Sequence, residues 1–228
     1  MGGLGNTTVM SPTRPSIRAA ETALAGGDQV MADLISRHGP CTLARRRAPA
    51  GTTAADGYFP ALAESILYQQ LAGKAAASIH RSFLSHFDGP PTPEAVLALA
   101  PEKLRESGLS GAKARAIIAL AHAVVAGDVP LQRLARLDDD EVVRVLSSVR
   151  GIGPWTAHMF CIFTLRRLDV WPSTDYGVRK GYASAYGLSE LPAPRALFEL
   201  GERFRPYRSV AAWYLWRAAE DKGLAASS

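Results

Sequence analysis

The sequence predicts an all-α fold, and three observations support this prediction. Alternation of β-branched and polar residues with a period of two, which is typical of strands, is nearly absent. Ala and Leu recur instead at the three- and four-residue spacing of helices that bury one face. Gly and Pro divide these periodic segments into pieces of helix length. We therefore expect a compact body of about ten helices, with an error of about two.

The length and composition fit a globular protein without a membrane span. The chain has 228 residues, of which 47% are hydrophobic and 21% are charged, and this length is enough for a sizeable core. No run of about 18 apolar residues occurs, so we expect no membrane span. Residues 1–16 lack the apolar segment of a signal peptide and are interpreted as a flexible N-terminal segment. Residues 17–228 are interpreted as one helical domain, in which two lobes with a cleft between them are one arrangement.

Net charge and cysteine content narrow the class of protein. The formal net charge is +5 and the pI is about 9.4, which permits binding to nucleic acid without requiring it. Cys41 and Cys161 are the only cysteines, and they lie far apart without the spacing of a metal site. We expect a reduced, cytoplasmic protein, nucleoid-associated if bacterial, with a monomer as the default.

Helical periodicity places the elements of the first half of the chain. Residues 17–38 hold two helical pieces broken at Gly26–Gly27, and residues 40–58 form a linker or long loop. The next predicted helices are 60–73, 74–87, 93–100 and one that begins at Pro101. A corner with two glycines at 107–111 then leads into a helix over 112–126. There, Lys113 and Arg115 are expected near enough to the surface to touch a distant phosphate.

In the second half, an acidic D-x-x-E pattern over 138–141 predicts a capping box at a helix start, without a chemical role. Further helices are predicted from Pro154, over 176–186, over 192–205 and over 208–222. The last of these carries Trp213 and Trp216 three residues apart.

The second half is organised around the segment from Leu146 to Lys180, LSSVRGIGPWTAHMFCIFTLRRLDVWPSTDYGVRK. Gly151 and Gly153 predict a tight turn, because glycine tolerates positive φ and lets another backbone come close. Pro154 suits the first position of a helix. Amides at such a turn form an electropositive cup for one phosphate oxygen, which would grip the DNA backbone without reading bases. An ordinary helix–helix corner is the alternative, because Gly-x-Gly alone is weak support.

An Asp that follows the hairpin favours the first interpretation. V-R-G-I-G-P-W-T-A followed by W-P-S-T-D-Y-G-V-R-K resembles the helix-hairpin-helix DNA glycosylase superfamily, in which a Gly/Pro-rich hairpin precedes an essential Asp. The chain is most similar to 3-methyladenine DNA glycosylase II, the AlkA type, over roughly Phe59 to Trp216. The residues before this region are few and look helical. The resemblance therefore implies a short form with the all-α body alone, without the N-terminal β domain of the AlkA type.

By this resemblance Asp175 is the catalytic residue. From the residues alone it is an N-cap after Ser173–Thr174, and the two roles are compatible because capping N–H groups aim the carboxylate. A fixed carboxylate stabilises the oxocarbenium-like sugar that forms when an N-glycosidic bond breaks. Trp155 stands where strand-cutting relatives have a Schiff-base lysine, so a monofunctional glycosylase without lyase activity is expected.

Aromatic residues supply the predicted base pocket. Trp216 aligns with an aromatic residue that faces the flipped base in the AlkA type, and an aromatic face attracts a cationic base. Packing in the core is the alternative for such a residue. The other pocket candidates are Trp155, Met159, Tyr68 and Trp171. Met159 stands where the AlkA type has a Tyr, so the pocket wall is expected to differ.

Leu71 is the predicted wedge that fills the gap left by an extruded nucleotide, on the resemblance of Q-Q-L-A-G-K-A-A. Packing into the core is the alternative. The other predicted DNA contacts are Gln70, Gly151, Gly153, Lys74, Arg179 and Lys180. The charged members of this set could equally be solvated surface residues.

The hairpin carbonyls of Ser147, Val149 and Ile152 match positions that hold a monovalent cation in relatives. A Na⁺ or K⁺ ion there would be structural, and no cofactor is expected to be required.

The expected function is excision of alkylated purines, such as 3-methyladenine and 7-methylguanine, from duplex DNA in base excision repair. The expected partner is double-stranded DNA that contains damaged bases, and no membrane is involved. One alternative is a glycosylase for ethenoadenine, hypoxanthine or a deaminated base. The other is a non-catalytic helix-hairpin-helix DNA-binding module, which gives no reason for Asp175, Trp216 and Leu71 to occur together.

Overall fold

The computed structural model describes residues 16–43, 54–69 and 73–221, and within these ranges the chain is all-α, without a strand. The helices are α1 (Ile17–Gly27), α2 (Gln29–His38), α3 (Tyr58–Tyr68), α4 (Gly73–Leu84), α5 (Pro93–Ala98), α6 (Pro101–Glu106), α7 (Gly111–Val125), α8 (Leu131–Leu134), α9 (Asp139–Ser147), α10 (Pro154–Phe163), α11 (Tyr176–Ala185), α12 (Pro194–Leu200) and α13 (Arg208–Glu220). Short 3₁₀ turns at Ala54–Gly57 and Gly201–Phe204 precede α3 and α13. The all-α prediction is confirmed.

Capping residues explain most helix starts. Asp138 accepts the Glu141 N–H while the Glu141 side chain accepts the Asp138 N–H, which completes the capping box predicted for α9. Thr92 caps α5 as predicted. The prediction of a break at Gly26–Gly27 is wrong, because both glycines lie inside α1. The break falls at Asp28, whose extended backbone and carboxylate cap α2 through the Met31 N–H.

Several other boundaries differ from the sequence prediction, and two of them lie at aromatic contacts. The first residue of α3 is Tyr58 rather than Pro60, and Tyr58 is buried with its ring edge-to-face against Phe160, 5.5 Å between centroids. Helix α4 ends at Leu84, before Phe87, which packs its ring against Phe83 from the turn that follows. An aromatic contact therefore accompanies each shifted boundary, a long-range one at Tyr58 and a local one at Phe87.

The core joins α3, α7, α9 and α10 on one side and α11 and α13 on the other. Its large buried side chains include Leu62, Ile66, Ile117, Leu120, Leu146, Phe160, Val178, Val210 and Tyr214. Helices α11 and α13 touch backbone to backbone, because a Cβ built on Gly181 would lie 1.8 Å from the Leu215 carbonyl oxygen. Only glycine permits this approach. Within the described ranges, no helix is long and apolar enough to cross a membrane.

Candidate active site

The hairpin joins α9 to α10 through a turn that exposes its glycines and buries its central side chain. Gly151 has φ +92°, and the Ile152 N–H donates to the Val149 carbonyl at 3.0 Å. Ile152 is only 3% exposed, so the turn is anchored in the core. A Cβ on Gly151 would lie 2.4 Å from the Ala116 Cβ, so the hairpin packs directly on α7.

The first turn of α10 has no side-chain cap. Gly153 is the N-cap, it makes no side-chain hydrogen bond, and Pro154 follows as the first helical residue. The N–H groups of an uncapped first turn point outward and carry the positive end of the helix dipole. This arrangement suits the predicted binding of a phosphate oxygen.

Asp175 is the N-cap of α11, as the sequence predicts, and its side chain is buried, with 9% of the residue exposed. Its backbone N–H donates to the Pro172 carbonyl at 2.9 Å, which closes the turn that precedes α11. Its Oδ1 accepts the Val178 N–H at 2.8 Å. The carboxylate is therefore held by its own helix.

Two indoles complete the hold on this carboxylate. Trp155 Nε1 donates to Asp175 Oδ2 at 2.7 Å, and Trp216 Nε1 donates to Asp175 Oδ1 at 2.8 Å. Because the indole N–H can only donate, both rings are fixed edge-on to the acid. Sequence reasoning placed both tryptophans in a base pocket but did not foresee that they bind Asp175.

A glycine allows Trp216 to reach Asp175. A Cβ on Gly177 would lie 2.8 Å from the Trp216 Cδ1 and 3.1 Å from Asp175 Oδ1. Real Cβ atoms are not found this close to other heavy atoms, so any larger residue would push the indole away. Together with Gly181, one turn further along α11, it sets the distance between α11 and α13 at the site.

Phe163 is a pocket residue that sequence reasoning missed. Its ring stacks on Trp216, with centroids 5.5 Å apart and planes at 25°, yet Phe163 remains 44% exposed. An exposed aromatic ring stacked on a half-buried one forms a platform for a planar ligand. The spacing of Trp155, Met159 and Phe163 along α10, four residues each, could have identified it.

A cleft of about 1770 Å³ opens beside this platform. The described residues that line it include the predicted pocket residues Tyr68, Trp155 and Met159, together with Phe163. Asp175 and Trp216 lie behind this wall, since Trp155 and Phe163 touch them. Residues of α3 and α10 therefore both line the cleft, and α10 separates it from the acid.

The structure places Trp171 in the core rather than in the predicted base pocket. It is 4% exposed, its Nε1 donates to the Leu197 carbonyl at 2.8 Å, and its ring contacts Phe204. A Cβ on Gly201 would overlap the indole. Trp171 is thus a core residue of the α12 region.

The predicted DNA contacts have different outcomes. Gln70 and Leu71 lie outside the described residues. Lys74 and Lys180 are exposed, and their phosphate contacts stay predictions. Arg179 is half-buried and its Nε donates to the Pro192 carbonyl at 2.9 Å, so part of its guanidinium is used within the fold.

Lys113 was expected near a distant phosphate, and the structure corrects this. Its Nζ donates to the carbonyls of Leu67 and Gln69, each at 2.7 Å. Burial lowers the pKa of this lysine. Lys113 therefore binds the C-terminal carbonyls of α3, which have no partner within their own helix.

The cation prediction rests on backbone carbonyls. The Val149 carbonyl already accepts one hydrogen bond, from Ile152, and a carbonyl oxygen has a second lone pair for an ion. Carbonyl oxygens are suitable ligands for Na⁺ or K⁺. The described residues contain no group of three or more His, Cys, Asp or Glu side chains that could hold a metal.

Both cysteines are buried, and burial raises the pKa of the Cys161 thiol to about 12 and that of Cys41 to about 11. Thiols with such pKa values are protonated at neutral pH and are poor nucleophiles. Although Cys161 lies in α10 with Trp155, its buried and protonated thiol is poorly suited to act as a nucleophile.

Known proteins are similar to this chain in sequence and architecture. Residues 63–206 match the model of the HhH-GPD superfamily base excision DNA repair proteins. The DNA-3-methyladenine glycosylase 1 of Schizosaccharomyces pombe is 31% identical over 211 residues, covering 90% of this chain and 89% of that protein.

Solved structures agree with this match. The S. pombe 3-methyladenine DNA glycosylase (Mag1) in complex with abasic DNA superimposes with a TM-score of 0.76 at 30% identity, over 89% of this chain and 97% of that one. A DNA-3-methyladenine glycosidase from Bacillus halodurans gives a TM-score of 0.73 at 32% identity, over 87% and 88%.

Proposed function

Because the chain belongs to the HhH-GPD superfamily of base excision DNA repair proteins, we propose that it is a monofunctional DNA glycosylase that excises alkylated purines from duplex DNA. The observation that carries this proposal is the Asp175 carboxylate, held by the Val178 N–H and the indoles of Trp155 and Trp216 beside an aromatic cleft. A hairpin that only bound DNA could use Asp175 as a helix cap, but it would give no reason for two indoles to bind that carboxylate beside a cleft.

The carboxylate supplies what breaking the N-glycosidic bond requires. As the bond to the base breaks, the sugar gains positive charge, and a fixed negative group beside it lowers the energy of that state. The three N–H donors prevent the carboxylate from turning away, so it needs no rearrangement during the reaction. An alkylated purine such as 3-methyladenine or 7-methylguanine already carries positive charge and leaves as a neutral base, so no second acid is required.

The aromatic platform supplies recognition of the base. A flipped, positively charged purine is attracted to the face of an indole or phenyl ring by about 0.5–2 kcal/mol. Phe163 stacked on Trp216 offers such a face at the cleft. We propose Tyr68, Trp155 and Met159 as the other pocket walls.

The absence of a lysine at the cleft supports the monofunctional assignment. The described residues that line the cleft include no lysine, and a Schiff base with the sugar requires an amine. Trp155 occupies the position at which strand-cutting relatives carry that lysine, and its only side-chain donor, the indole N–H, is bound to Asp175. The product is therefore an intact strand with an abasic site.

A second candidate function is excision of neutral modified bases such as ethenoadenine or hypoxanthine. The observation that favours it is Met159, which lines the cleft where the resemblance calls for a Tyr. A flexible thioether adapts to differently shaped bases.

We further propose a DNA partner, a structural ion, an assembly state and a compartment. The partner is double-stranded DNA with a damaged base, gripped at Gly151, Gly153, Lys74 and Lys180 and wedged open by Leu71. No cofactor takes part, and a Na⁺ or K⁺ ion on the hairpin carbonyls is structural. The protein acts as a monomer in the compartment that holds the DNA, the cytoplasm and its nucleoid if the source is bacterial.

Base release from methylated duplex DNA tests the proposal, with strand breaks measured before and after alkali. Release of methylated purines, with breaks only after alkali, is the expected result. Release with breaks before alkali would contradict the monofunctional assignment. No release would favour the neutral-lesion candidate, to be tested on ethenoadenine and hypoxanthine duplexes, and failure there would leave a DNA-binding module.

A further inference from the structure

Gln69 lies directly after α3, and its side-chain amide spans the hairpin turn. Its Nε2 donates to the Gly151 carbonyl at 3.1 Å and to Thr156 Oγ1 at 2.9 Å. These acceptors stand at the two ends of the turn, and the residues between them are Ile152, Gly153, Pro154 and Trp155. The Gln69 amide therefore links the hairpin turn to the first turn of α10, the helix start that has no side-chain cap.

The backbone of Gln69 is itself held from α7. Lys113 Nζ donates to the Gln69 carbonyl and to the Leu67 carbonyl, both at 2.7 Å. An ammonium at the C-terminal end of a helix is favoured by the helix dipole. The last turn of α3 is thus fixed to α7 by Lys113 and to the hairpin by Gln69.

Both acceptors of the Gln69 amide lie next to residues that are proposed to bind DNA or hold the catalytic carboxylate. Gly151 belongs to the turn whose amides are proposed to meet a phosphate, and Thr156 follows Trp155, whose indole holds Asp175. Thr156 is 2% exposed, so its hydroxyl has no access to water as an alternative partner. A turn that contains two glycines has little rigidity of its own.

We propose that Gln69 is a positioning residue that fixes the phosphate-gripping turn relative to Trp155 and Asp175, with Lys113 holding Gln69 in place. The distance between the DNA phosphate bound at the hairpin and the Asp175 carboxylate is then fixed. The inference rests on the proposed function for its catalytic readout. It does not depend on residues 70–72, which lie outside the described ranges.

A positioning role and a packing role differ in what a substitution changes. Loss of packing lowers the free energy of unfolding and leaves the folded enzyme equally fast. Loss of positioning slows the chemical step in enzyme that is folded and saturated with DNA, because a misplacement of about 1 Å costs on the order of a hundredfold in rate. The single-turnover rate of base release at saturating enzyme separates the two.

The test compares Gln69→Met, which keeps the length but removes the amide, with Thr156→Val, which removes only the hydroxyl. Gln69→Met is expected to slow single-turnover release roughly 10- to 100-fold, and Thr156→Val by a smaller factor. The double variant is expected to be no slower than Gln69→Met, because the two changes break the same bond. Thr156→Ser restores the hydroxyl and should recover most of the rate lost in Thr156→Val.

Rates within about twofold of wild type for folded Gln69→Met, with melting temperature as the check of folding, would overturn the inference. Affinity for a duplex with an abasic-site analogue provides the second readout, and it needs no excision. If wild type releases no base from any lesion duplex, the proposed function fails. In that case weaker abasic-duplex binding by Gln69→Met supports the link between α3 and the hairpin, and unchanged binding overturns it.

Discussion

Two corners of this protein are built alike and used differently. The α6–α7 corner turns through Gly108 at φ +85° and the α9–α10 corner turns through Gly151 at φ +92°. Both lead into the N-terminus of a longer helix. At the first corner the N-cap is Ser110, whose Oγ accepts the Lys113 N–H, whereas at the second the N-cap is Gly153, which has no side chain to offer.

The difference shows that the capping residue, more than the turn, decides whether a helix start is available to a ligand. At α7, a first-turn N–H is already bonded within the chain, and the nearby Lys113 ammonium is used to hold α3. At α10, the first-turn N–H groups lack a side-chain partner, and the helix that follows carries Trp155 to Asp175. The first corner is structural, and the second is proposed to bind DNA.

The largest effect is expected from Asp175→Asn, which tests whether the carboxylate beside the α9–α10 corner carries out base release. Asp175→Asn keeps the shape of the side chain but removes the charge that stabilises the oxocarbenium-like sugar. We expect release of methylated purines to fall by at least about a hundredfold, while affinity for abasic-site duplex stays near that of wild type. Single-turnover release and a binding titration measure the two. Persistent excision would show that another group performs the reaction.

The next largest effect is expected from substitution of the corner glycines, which should destabilise the protein more at Gly151 than at Gly108. In Gly151→Ala, the new Cβ would lie 2.4 Å from the Ala116 Cβ in addition to requiring a positive φ. In Gly108→Ala the nearest atom is Ile79 Cγ1 at 3.3 Å. The positive φ costs each variant about 1–2 kcal/mol of unfolding free energy, and the overlap adds about 1–3 kcal/mol to Gly151→Ala alone.

Denaturant unfolding and abasic-duplex binding check this pair. Gly151→Ala is expected to lose stability and affinity, because the hairpin must move off α7. Gly108→Ala is the control, with a smaller loss of stability and normal affinity. Equal loss of DNA affinity in both variants would mean that the two corners are not functionally distinct.

Interactions between residues close in sequence could be predicted from the sequence, whereas interactions between distant residues could not. Capping acts over three or four residues, so the box at Asp138, the start of α10 at Pro154 and the N-cap role of Asp175 were all predictable. The bond from Trp216 to Asp175 joins residues 41 apart, and it exists because Gly177 lets the indole pass. No local pattern contains that information.

The same reasoning explains the two misassigned residues. Trp171 stands beside the catalytic segment in the sequence, but its indole N–H finds the Leu197 carbonyl of α12 and the ring enters the core. Lys113 has the surface position expected of a phosphate contact, but the C-terminal carbonyls of α3 lie within its reach. In each case the polar side-chain group binds a backbone carbonyl that tertiary packing brings close, and no local sequence pattern contains that information.

A smaller effect is expected when the cap of the first corner is removed. Ser110→Ala leaves the Lys113 N–H of α7 without its partner, which typically costs about 1 kcal/mol. Denaturant unfolding measures this loss. The affinity for abasic-site duplex and the rate of base release are expected to match wild type. A fall in affinity larger than the fraction unfolded explains would assign the α6–α7 corner a part in binding DNA.

The smallest effect comes from giving the second corner the cap that it lacks. Gly153 has φ −96° and ψ 173°, and a Cβ there would meet nothing within 4 Å, so Gly153→Ser fits without strain. Its hydroxyl would accept a first-turn N–H of α10, and stability should change by only a few tenths of a kcal/mol. The same N–H is then no longer available to a phosphate, and loss of a contact worth about 0.3–1 kcal/mol corresponds to roughly two- to fivefold weaker binding. Titration of abasic-site duplex at low and moderate salt measures this change. If Gly153→Ser binds DNA as tightly as wild type, the N-terminus of α10 does not hold a phosphate, and the missing cap reflects only the geometry of the turn.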